Sequence, residues 1–225
     1  MKRLTALLLV LAVLVMLAGC DAREMAKKVA DTIKAISAMS EFIGEGVEKI
    51  EISRGTINGN IYENKYMGYT FEKPDSWVYA TDKEIAESLE IGVENFVKED
   101  FKNIAENNVS IYDMMVVDES TGTNICIGYE NLALLSQTDI TEEQYMEALR
   151  QQFSSVTTMT VEFDRKTTKV KLGDVEFTRA ICVLQTGGTY LQQIYYIHKI
   201  DNYMGFAIVT IVDGYDMFEI EGMFN

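Results

Sequence analysis

The last third of the chain carries the pattern that most constrains the fold. Four runs rich in β-branched and aromatic residues follow one another: residues 159–172, 175–185, 189–200 and 203–212. The turn sequences between them are Gly173-Asp174, Gly187-Gly188 and Asp201-Asn202. A two-residue connection leaves room only for a hairpin, so neighbouring runs must pair antiparallel. The sequence therefore predicts a four-stranded meander, in which Gly187-Gly188 is a hairpin turn and not a phosphate-binding loop.

Helical patterns flank a predicted hairpin in the middle of the chain. Capping boxes begin two predicted helices, one with Thr81 and Glu84 and the other with Thr141 and Gln144. Apolar residues follow at helical spacing: Ile85, Leu89, Val93, Phe96, Val97, Phe101 and Ile104 in the first helix, and Tyr145, Leu149 and Phe153 in the second. Residues 109–117 and 123–132 lie between the helices and predict the hairpin.

The two ends of this region complete the expected fold. Two short strands, joined by a turn at residues 63–65, precede Pro74 and Trp77, and we expect Trp77 to anchor the core. Residues 215–224 predict a closing helix that covers one sheet face. The predicted class is α+β, an antiparallel β-sheet with helices packed on its faces.

The first 20 residues, MKRLTALLLVLAVLVMLAGC, are typical of an export signal. Lys2 and Arg3 precede an apolar run of about 15 residues, which fits a signal-peptide core and is shorter than the ~18 that a membrane-spanning helix needs. The run ends in Leu17-Ala18-Gly19-Cys20, which resembles the lipobox of bacterial lipoproteins. The resemblance implies that residues 1–19 are removed and that Cys20 carries a diacylglyceryl group. In some two-membrane bacteria, Asp21 after Cys20 would imply retention at the inner membrane.

Residues 20–50 predict a lipid-anchored helical spacer before the domain. Apolar residues recur there every three or four residues in two series: Met25, Val29, Ile33 and Ile36, and then Ile43, Val47 and Ile50. One interpretation is a membrane-proximal helix that lies on anionic lipid or docks on a partner. The other is a plain tether, which the nearly balanced charges of the segment favour.

The acidic balance of the chain argues against polyanionic partners. The 225 residues carry 20 basic and 35 acidic side chains, a net charge of −15, which becomes −17 when Lys2 and Arg3 leave with the signal. Such a surface repels phosphate backbones, so we expect no nucleic-acid binding.

The cysteines and the histidine predict no catalytic or metal site. Cys126 and Cys182 lie in apolar strand patterns typical of buried thiols, although an exported location permits a disulfide. His198 is the only histidine, and it has no His or Cys partners at zinc-ligand spacing. It also lacks a nucleophile motif, so we interpret it as a structural strand residue.

Acidic residues and tyrosines cluster near the C-terminus. Asp213, Asp216, Glu219 and Glu221 lack the spacing of a calcium loop and are interpreted as acids at a helix N-terminus. A second cluster is predicted as a possible partner or ligand surface: Tyr190, Tyr195, Tyr196 and Tyr203. Packing in the core or on the sheet is the alternative for these tyrosines.

One stretch carries a family resemblance. It reads Gly55-x-Ile57-x-x-Asn60-x-Tyr62-x-Asn64, followed by Gly68-Tyr69-Thr70-Phe71-x-x-Pro74-x-x-Trp77. This stretch resembles the opening of PsbP-like domains, a family that includes many bacterial lipoproteins. The resemblance covers residues 55–225 and implies an α/β/α sandwich. The family's metal-binding residues have no identifiable counterparts in this sequence, so none is transferred.

Two functions follow as hypotheses. The first is a non-enzymatic, lipid-anchored extracytoplasmic protein on the cell membrane, which binds a protein or envelope partner or acts as its accessory. The second is a small-ligand-binding or enzyme-accessory lipoprotein with a pocket lined by tyrosines and carboxylates. Neither predicts a cofactor, a metal or a catalytic residue.

Overall fold

The computed structural model describes residues 51–88, 101–154, 160–186, 189–212 and 214–225. The predicted signal peptide at 1–19, Cys20 and the predicted spacer at 20–50 lie outside the described residues. Gly187-Gly188, Asp213 and four positions of the predicted apolar stripe also lie outside them: Leu89, Val93, Phe96 and Val97. Within the described part, no helix is both long and apolar enough to cross a membrane.

The described residues form eleven strands and four helices. The strands are β1 (Thr56–Asn58), β2 (Ile61–Asn64), β3 (Tyr69–Glu72), β4 (Trp77–Tyr79), β5 (Ser110–Asp118), β6 (Asn124–Asn131), β7 (Thr160–Phe163), β8 (Thr168–Leu172), β9 (Val175–Thr186), β10 (Thr189–Ile200) and β11 (Tyr203–Ile211). The helices are α1 (Asp82–Ser88), α2 (Phe101–Asn107), α3 (Glu142–Ser154) and α4 (Met217–Glu221).

These strands form two antiparallel sheets. The large sheet has the order β4-β5-β6-β11-β10-β9-β7, with β8 also paired to β9, and the small sheet has the order β1-β2-β3. The predicted meander is confirmed, because β8 pairs with β9, β9 with β10 and β10 with β11. The predicted central hairpin is β5 and β6. Antiparallel sheets with a few helices confirm the α+β class.

Both capping boxes form, and each fixes the start of a helix. The backbone N–H of Thr81 donates to the Glu84 carboxylate at 2.8 Å, and the Glu84 N–H donates to the Thr81 hydroxyl at 3.3 Å. Thr141 and Gln144 make the same reciprocal pair at 2.9 and 3.2 Å. The apolar residues predicted for the second helix, Tyr145, Leu149 and Phe153, are all buried.

The predicted single strand at residues 159–172 is wrong, because the chain forms two strands there. β7 pairs with the C-terminal half of β9, and β8 pairs with its N-terminal half. Asp164 separates them: its N–H donates to the Ile181 carbonyl at 2.8 Å, and its carboxylate accepts from the Ile181 N–H at 3.1 Å. The Asp164 carboxylate thus takes the hydrogen bond from the Ile181 N–H that a backbone carbonyl would accept in a longer strand, and β7 ends there.

Both ends of the domain also differ from the prediction. The small sheet has three strands instead of two, and its second turn lies at residues 65–68, because Asn64 still pairs with Tyr69. The closing helix spans only Met217–Glu221. Beyond it the chain becomes extended and pairs with β3, where the Thr70 N–H donates to the Asn225 carbonyl at 2.7 Å.

Both faces of the large sheet are covered. Tyr129 of β6 faces the small sheet and α2, since it contacts the amide of Asn64 and the ring of Phe101, whose centroid is 6.1 Å away. Its neighbour Glu130 faces the other way and bonds Tyr145 of α3. Successive side chains of a strand alternate between faces. Every side chain of β6 except that of Glu130 is therefore buried.

Candidate functional site

A β-bulge in β5 places the carboxylate of Asp113 inside the described domain. The register between β5 and β6 shifts between Tyr112 and Met114, which leaves Asp113 opposite no partner. Bulges re-aim the extra residue. Asp113 is turned into the interior and is only 1% exposed.

Four donors surround the carboxylate of Asp113. The Gly55 N–H lies 3.1 and 2.9 Å from its two oxygens, and the Tyr62 hydroxyl donates to Oδ2 at 2.5 Å. Nδ2 of Asn64 lies 3.1 Å from Oδ2, and Nε of Arg54 lies 3.7 Å from Oδ1. We call Arg54, Gly55, Tyr62, Asn64, Asp113 and Tyr129 the Asp113 cluster.

Asn64 connects Tyr129 to the rest of the cluster. Its Nδ2 lies 2.6 Å from the Tyr129 hydroxyl and 2.7 Å from that of Tyr62. Its Oδ1 accepts from the Met67 N–H at 2.8 Å, which holds the turn between β2 and β3. Because Asn64 lies on β2 and Asp113 and Tyr129 lie on β5 and β6, the cluster connects the two sheets.

Burial dominates the electrostatics of this cluster. Desolvation raises the pKa of Asp113 to about 6, although the hydrogen bonds from Tyr62 and Gly55 and the charge of Arg54 lower it. Desolvation also raises the pKa of Tyr62 and of Tyr129 well above the usual range. These hydroxyls therefore remain protonated and act as donors or acceptors.

Tyr69 lies beside the cluster with its hydroxyl unsatisfied. Its ring centroid is 6.5 Å from that of Tyr62, and the side chain is buried. In the described part of the chain, this hydroxyl has no hydrogen-bond partner. A buried polar atom without a partner destabilises the folded state.

A second polar cluster surrounds Glu142, the first residue of α3. Its Oε2 accepts from Lys169 at 2.7 Å and from the Thr178 hydroxyl, and its Oε1 accepts from the Lys199 N–H at 2.8 Å. Burial would raise the pKa of Glu142, but these hydrogen bonds outweigh burial and lower it. Glu142 therefore stays ionised and fixes the start of α3 on the sheet.

His198 belongs to the surroundings of Glu142. Its Nδ1 lies 3.6 Å from Glu142 Oε1, and its ring packs on Phe177 at 5.6 Å between centroids. These contacts pack His198 between Glu142 and Phe177. Among the described residues, no group of three or more His, Cys, Asp or Glu side chains is arranged to hold a metal ion.

A shallow groove adjoins the start of α3. Its volume is ≈ 490 Å³, and it is lined by Ser136, Gln137, Thr138, Asp139, Ile140 and Gln144. The lining contains one carboxylate, that of Asp139, and no tyrosine. It is therefore not the tyrosine-lined pocket of the second hypothesis.

The four predicted surface tyrosines do not share one surface. Tyr190 is 62% exposed, whereas Tyr195 and Tyr196 are buried, and their adjacent positions on β10 send them to opposite faces. Tyr203 is half-buried and packs edge-on against Tyr66 and Tyr129. Packing, the alternative stated for these residues, is what the structure provides for Tyr195, Tyr196 and Tyr203.

The remaining candidates have structural contacts. Asp216 caps α4 and forms a capping box with Glu219, as expected of acids at a helix start. Glu221 accepts from Arg179 at 2.7 Å and from the Tyr196 hydroxyl at 2.9 Å. Cys126 and Cys182 are free and buried, so the pair does not form a disulfide.

Sequence reasoning missed the Asp113 cluster altogether. The available signal was a lone carboxylate inside the apolar run Ser110–Asp118, where a buried charge requires donors. Its donors come from residues 54–64, far away in sequence.

Comparisons with known proteins show no family. No protein-family model matches the chain, and no curated protein does. A crystal structure of a protein from Bacteroides thetaiotaomicron VPI-5482 is similar at 14% identity, with a TM-score of 0.36 over 77% of this chain. The match spans about half of that protein, 48% of its chain.

Proposed function

We propose that the chain is a lipid-anchored extracytoplasmic protein whose domain, residues 55–225, binds a protein or envelope partner or serves as its accessory. The observation that carries the proposal is the leader, in which a charged start, a short apolar run and Cys20 follow in the order of a lipoprotein signal. Two acyl chains on one cysteine are enough for stable anchoring.

The way the chain enters the domain supports a tethering role. Residues 51–58, which we call the strap, connect the predicted spacer to the small sheet. Arg54 and Gly55 bind the buried carboxylate of Asp113, and Glu51 pairs with Lys102 at 2.9 Å. The first described residues after the predicted spacer are thus fixed to the interior of the domain.

The proposed role is non-enzymatic. In the described domain, His198 and the buried carboxylates have contacts that stabilise the fold, and both cysteines are buried. Burial raises the pKa of the Cys126 thiol above its usual value, which disfavours the reactive thiolate.

The finer fold assignment is also a proposal. We propose that the domain is a PsbP-like sandwich, in which α3 covers one face of the large sheet, and α2 covers the other together with the small sheet. The contacts of Tyr129 and of Tyr145 on opposite faces support this arrangement. An experimental structure that superposes on a PsbP domain over residues 55–225 would establish it, and a different strand order would exclude it.

Metabolic labelling tests the anchor. The wild-type chain and Cys20→Ala are expressed in a bacterial host with an alkyne fatty acid, and membranes are separated from soluble fractions. We expect label and membrane association in the wild type and neither in Cys20→Ala. Cys182→Ala is the matched control and should keep both, because its thiol is buried. A labelled, membrane-bound Cys20→Ala chain would contradict the proposal.

Crosslinking tests the binding role. Intact cells that express the wild-type chain are crosslinked, and the captured proteins are identified by mass spectrometry. We expect one envelope protein to be enriched over a Cys20→Ala control, because only the anchored chain reaches it. Recovery of the same background from both chains would count against a partner.

A small-ligand or enzyme-accessory role is the second candidate, with the shallow groove beside α3 as its site in place of the predicted tyrosine-lined pocket. Its volume of ≈ 490 Å³ falls within the range of small-molecule sites. Saturation-transfer NMR with a library of polar solutes tests this role. We expect binding that Gln144→Trp abolishes by filling the groove, and binding that this variant leaves intact would exclude the groove.

A further inference from the structure

The strap occupies a site that is built like a peptide-binding site. Its second half is β1, which adds to the edge of β2 with Ile57 opposite Tyr62 and Asn58 opposite Ile61. Its first half brings the Gly55 N–H to Asp113 and the Arg54 guanidinium to Asp82, 2.6 Å away. Backbone pairing to a sheet edge combined with side-chain pockets is the way in which many domains recognise extended peptides.

Gly55 fits this site through its missing side chain. A Cβ at this position would lie 2.2 Å from Cε2 of Tyr62, and 2.5 Å from its Cζ. The backbone of Gly55 thus lies close against the Tyr62 ring, whose hydroxyl bonds the same carboxylate as the Gly55 N–H. In the strap, glycine thus fits against the Tyr62 ring, and the Arg54 guanidinium lies near the carboxylates of Asp82 and Asp113.

The strap contributes little to the hydrophobic core. All three residues of β1 are exposed, and the side chain of Arg54 is 30% exposed. Ile52 is the strap's buried apolar side chain. Tyr62, Asn64 and Tyr129 bond one another independently of the strap. Displacement of the strap therefore leaves most of the site in place.

We propose that the edge of β2 and the Asp113 carboxylate form a peptide-binding site, which the strap fills in cis and which accepts an extended Arg-Gly segment of another polypeptide when the strap leaves. This inference rests on the binding role proposed above and gives it a location and a partner chemistry. It is independent of the lipid anchor.

The covalent connection gives the strap an advantage over any free peptide. A tethered segment competes at an effective concentration on the order of millimolar. The wild-type chain should therefore bind a free peptide poorly, and a chain with a displaced strap should bind it well.

Fluorescence anisotropy tests the proposal on the full chain in detergent. The probe is a labelled peptide of residues 51–60, and the control probe carries Gly55→Ala. The chains are wild type, Gly55→Ala, and Thr56→Ala as a matched control at an exposed strap position. We expect Gly55→Ala to bind the probe at least tenfold more tightly than the wild type and Thr56→Ala do. The Gly55→Ala chain should bind the control probe at least tenfold more weakly than it binds the probe.

Further measurements keep the test decisive. Hydrogen exchange at residues 51–58 reports whether the strap has left, and near-UV circular dichroism reports whether the fold remains. If Gly55→Ala does not fold, Arg54→Ala replaces it, because it removes the guanidinium from both carboxylates. The proposal is overturned if the strap stays protected in every folded variant, if a displaced strap yields no binding, or if both probes bind equally. None of these results bears on fatty-acid labelling of Cys20.

Discussion

Replacing Asp113 by asparagine should remove the loss of stability that ionisation of this carboxyl causes as the pH rises. The variant keeps the shape of the side chain and removes its titration. The pKa of Asp113 in the folded chain is about 6, against an ordinary value of 3.8, because burial outweighs the surrounding donors. This difference corresponds to roughly 3 kcal/mol for a side chain with no exposed surface.

The sign follows from which state binds the proton more tightly. The folded state does so, because its pKa is the higher one. The contribution of Asp113 to the free energy of unfolding is therefore fully present below pH 3.8 and is lost as the pH rises through about 6. Relative to Asp113→Asn, the wild type should lose up to roughly 3 kcal/mol between pH 4 and pH 7.

Urea denaturation of both chains at pH 4, 5, 6 and 7 measures this difference. Carboxylates shared by the two chains cancel in the comparison. Asp118→Asn is an opposite-sign control: hydrogen bonds, first of all from the Ser120 hydroxyl, lower the pKa of Asp118, so the wild type should lose stability relative to this variant as the pH falls. Stability curves of wild type and Asp113→Asn that stay parallel, or that diverge in the opposite sense, would refute the claim that burial outweighs the donors.

Three further substitutions test individual contacts. Tyr69→Phe removes the unsatisfied buried hydroxyl, so it should raise the free energy of unfolding by about 1–3 kcal/mol in urea titrations; a loss of stability would show that the hydroxyl has a partner. Gly128→Ala should lower it by about 1–3 kcal/mol, because the new Cβ would lie 2.3 Å from the Ile111 carbonyl; an unchanged midpoint would contradict that packing. Glu142→Gln weakens the bonds that fix α3, so hydrogen exchange should increase over residues 142–154 and not over β5; uniform exchange would exclude a local role.

Local signals in the sequence predicted the parts of the fold that local chemistry decides. The capping boxes of Thr81 and Thr141 lie within single turns of chain and formed as expected. The meander followed from the short connections between the runs, which permit only antiparallel pairing of neighbouring strands. The division of residues 159–172 into β7 and β8 escaped prediction, because it depends on Asp164 bonding a strand that comes later in the chain.

The candidate site depends on distant residues and was not predictable in this way. Asp113 gains its position from a bulge and its donors from the strap and the small sheet, which no spacing in the sequence connects. The placement of the four tyrosines shows how strand geometry limits such a cluster. Adjacent tyrosines in a strand point to opposite faces, so Tyr195 and Tyr196 could not both contribute to one surface.

The lipid anchor is the central claim, and the intact mass of the protein from bacterial membranes tests it most directly. The account predicts a chain that begins at Cys20, lacks residues 1–19 and carries the mass of a diacylglyceryl group on that cysteine. A chain that still begins at Met1, without added lipid and recovered from the cytosol, would contradict it.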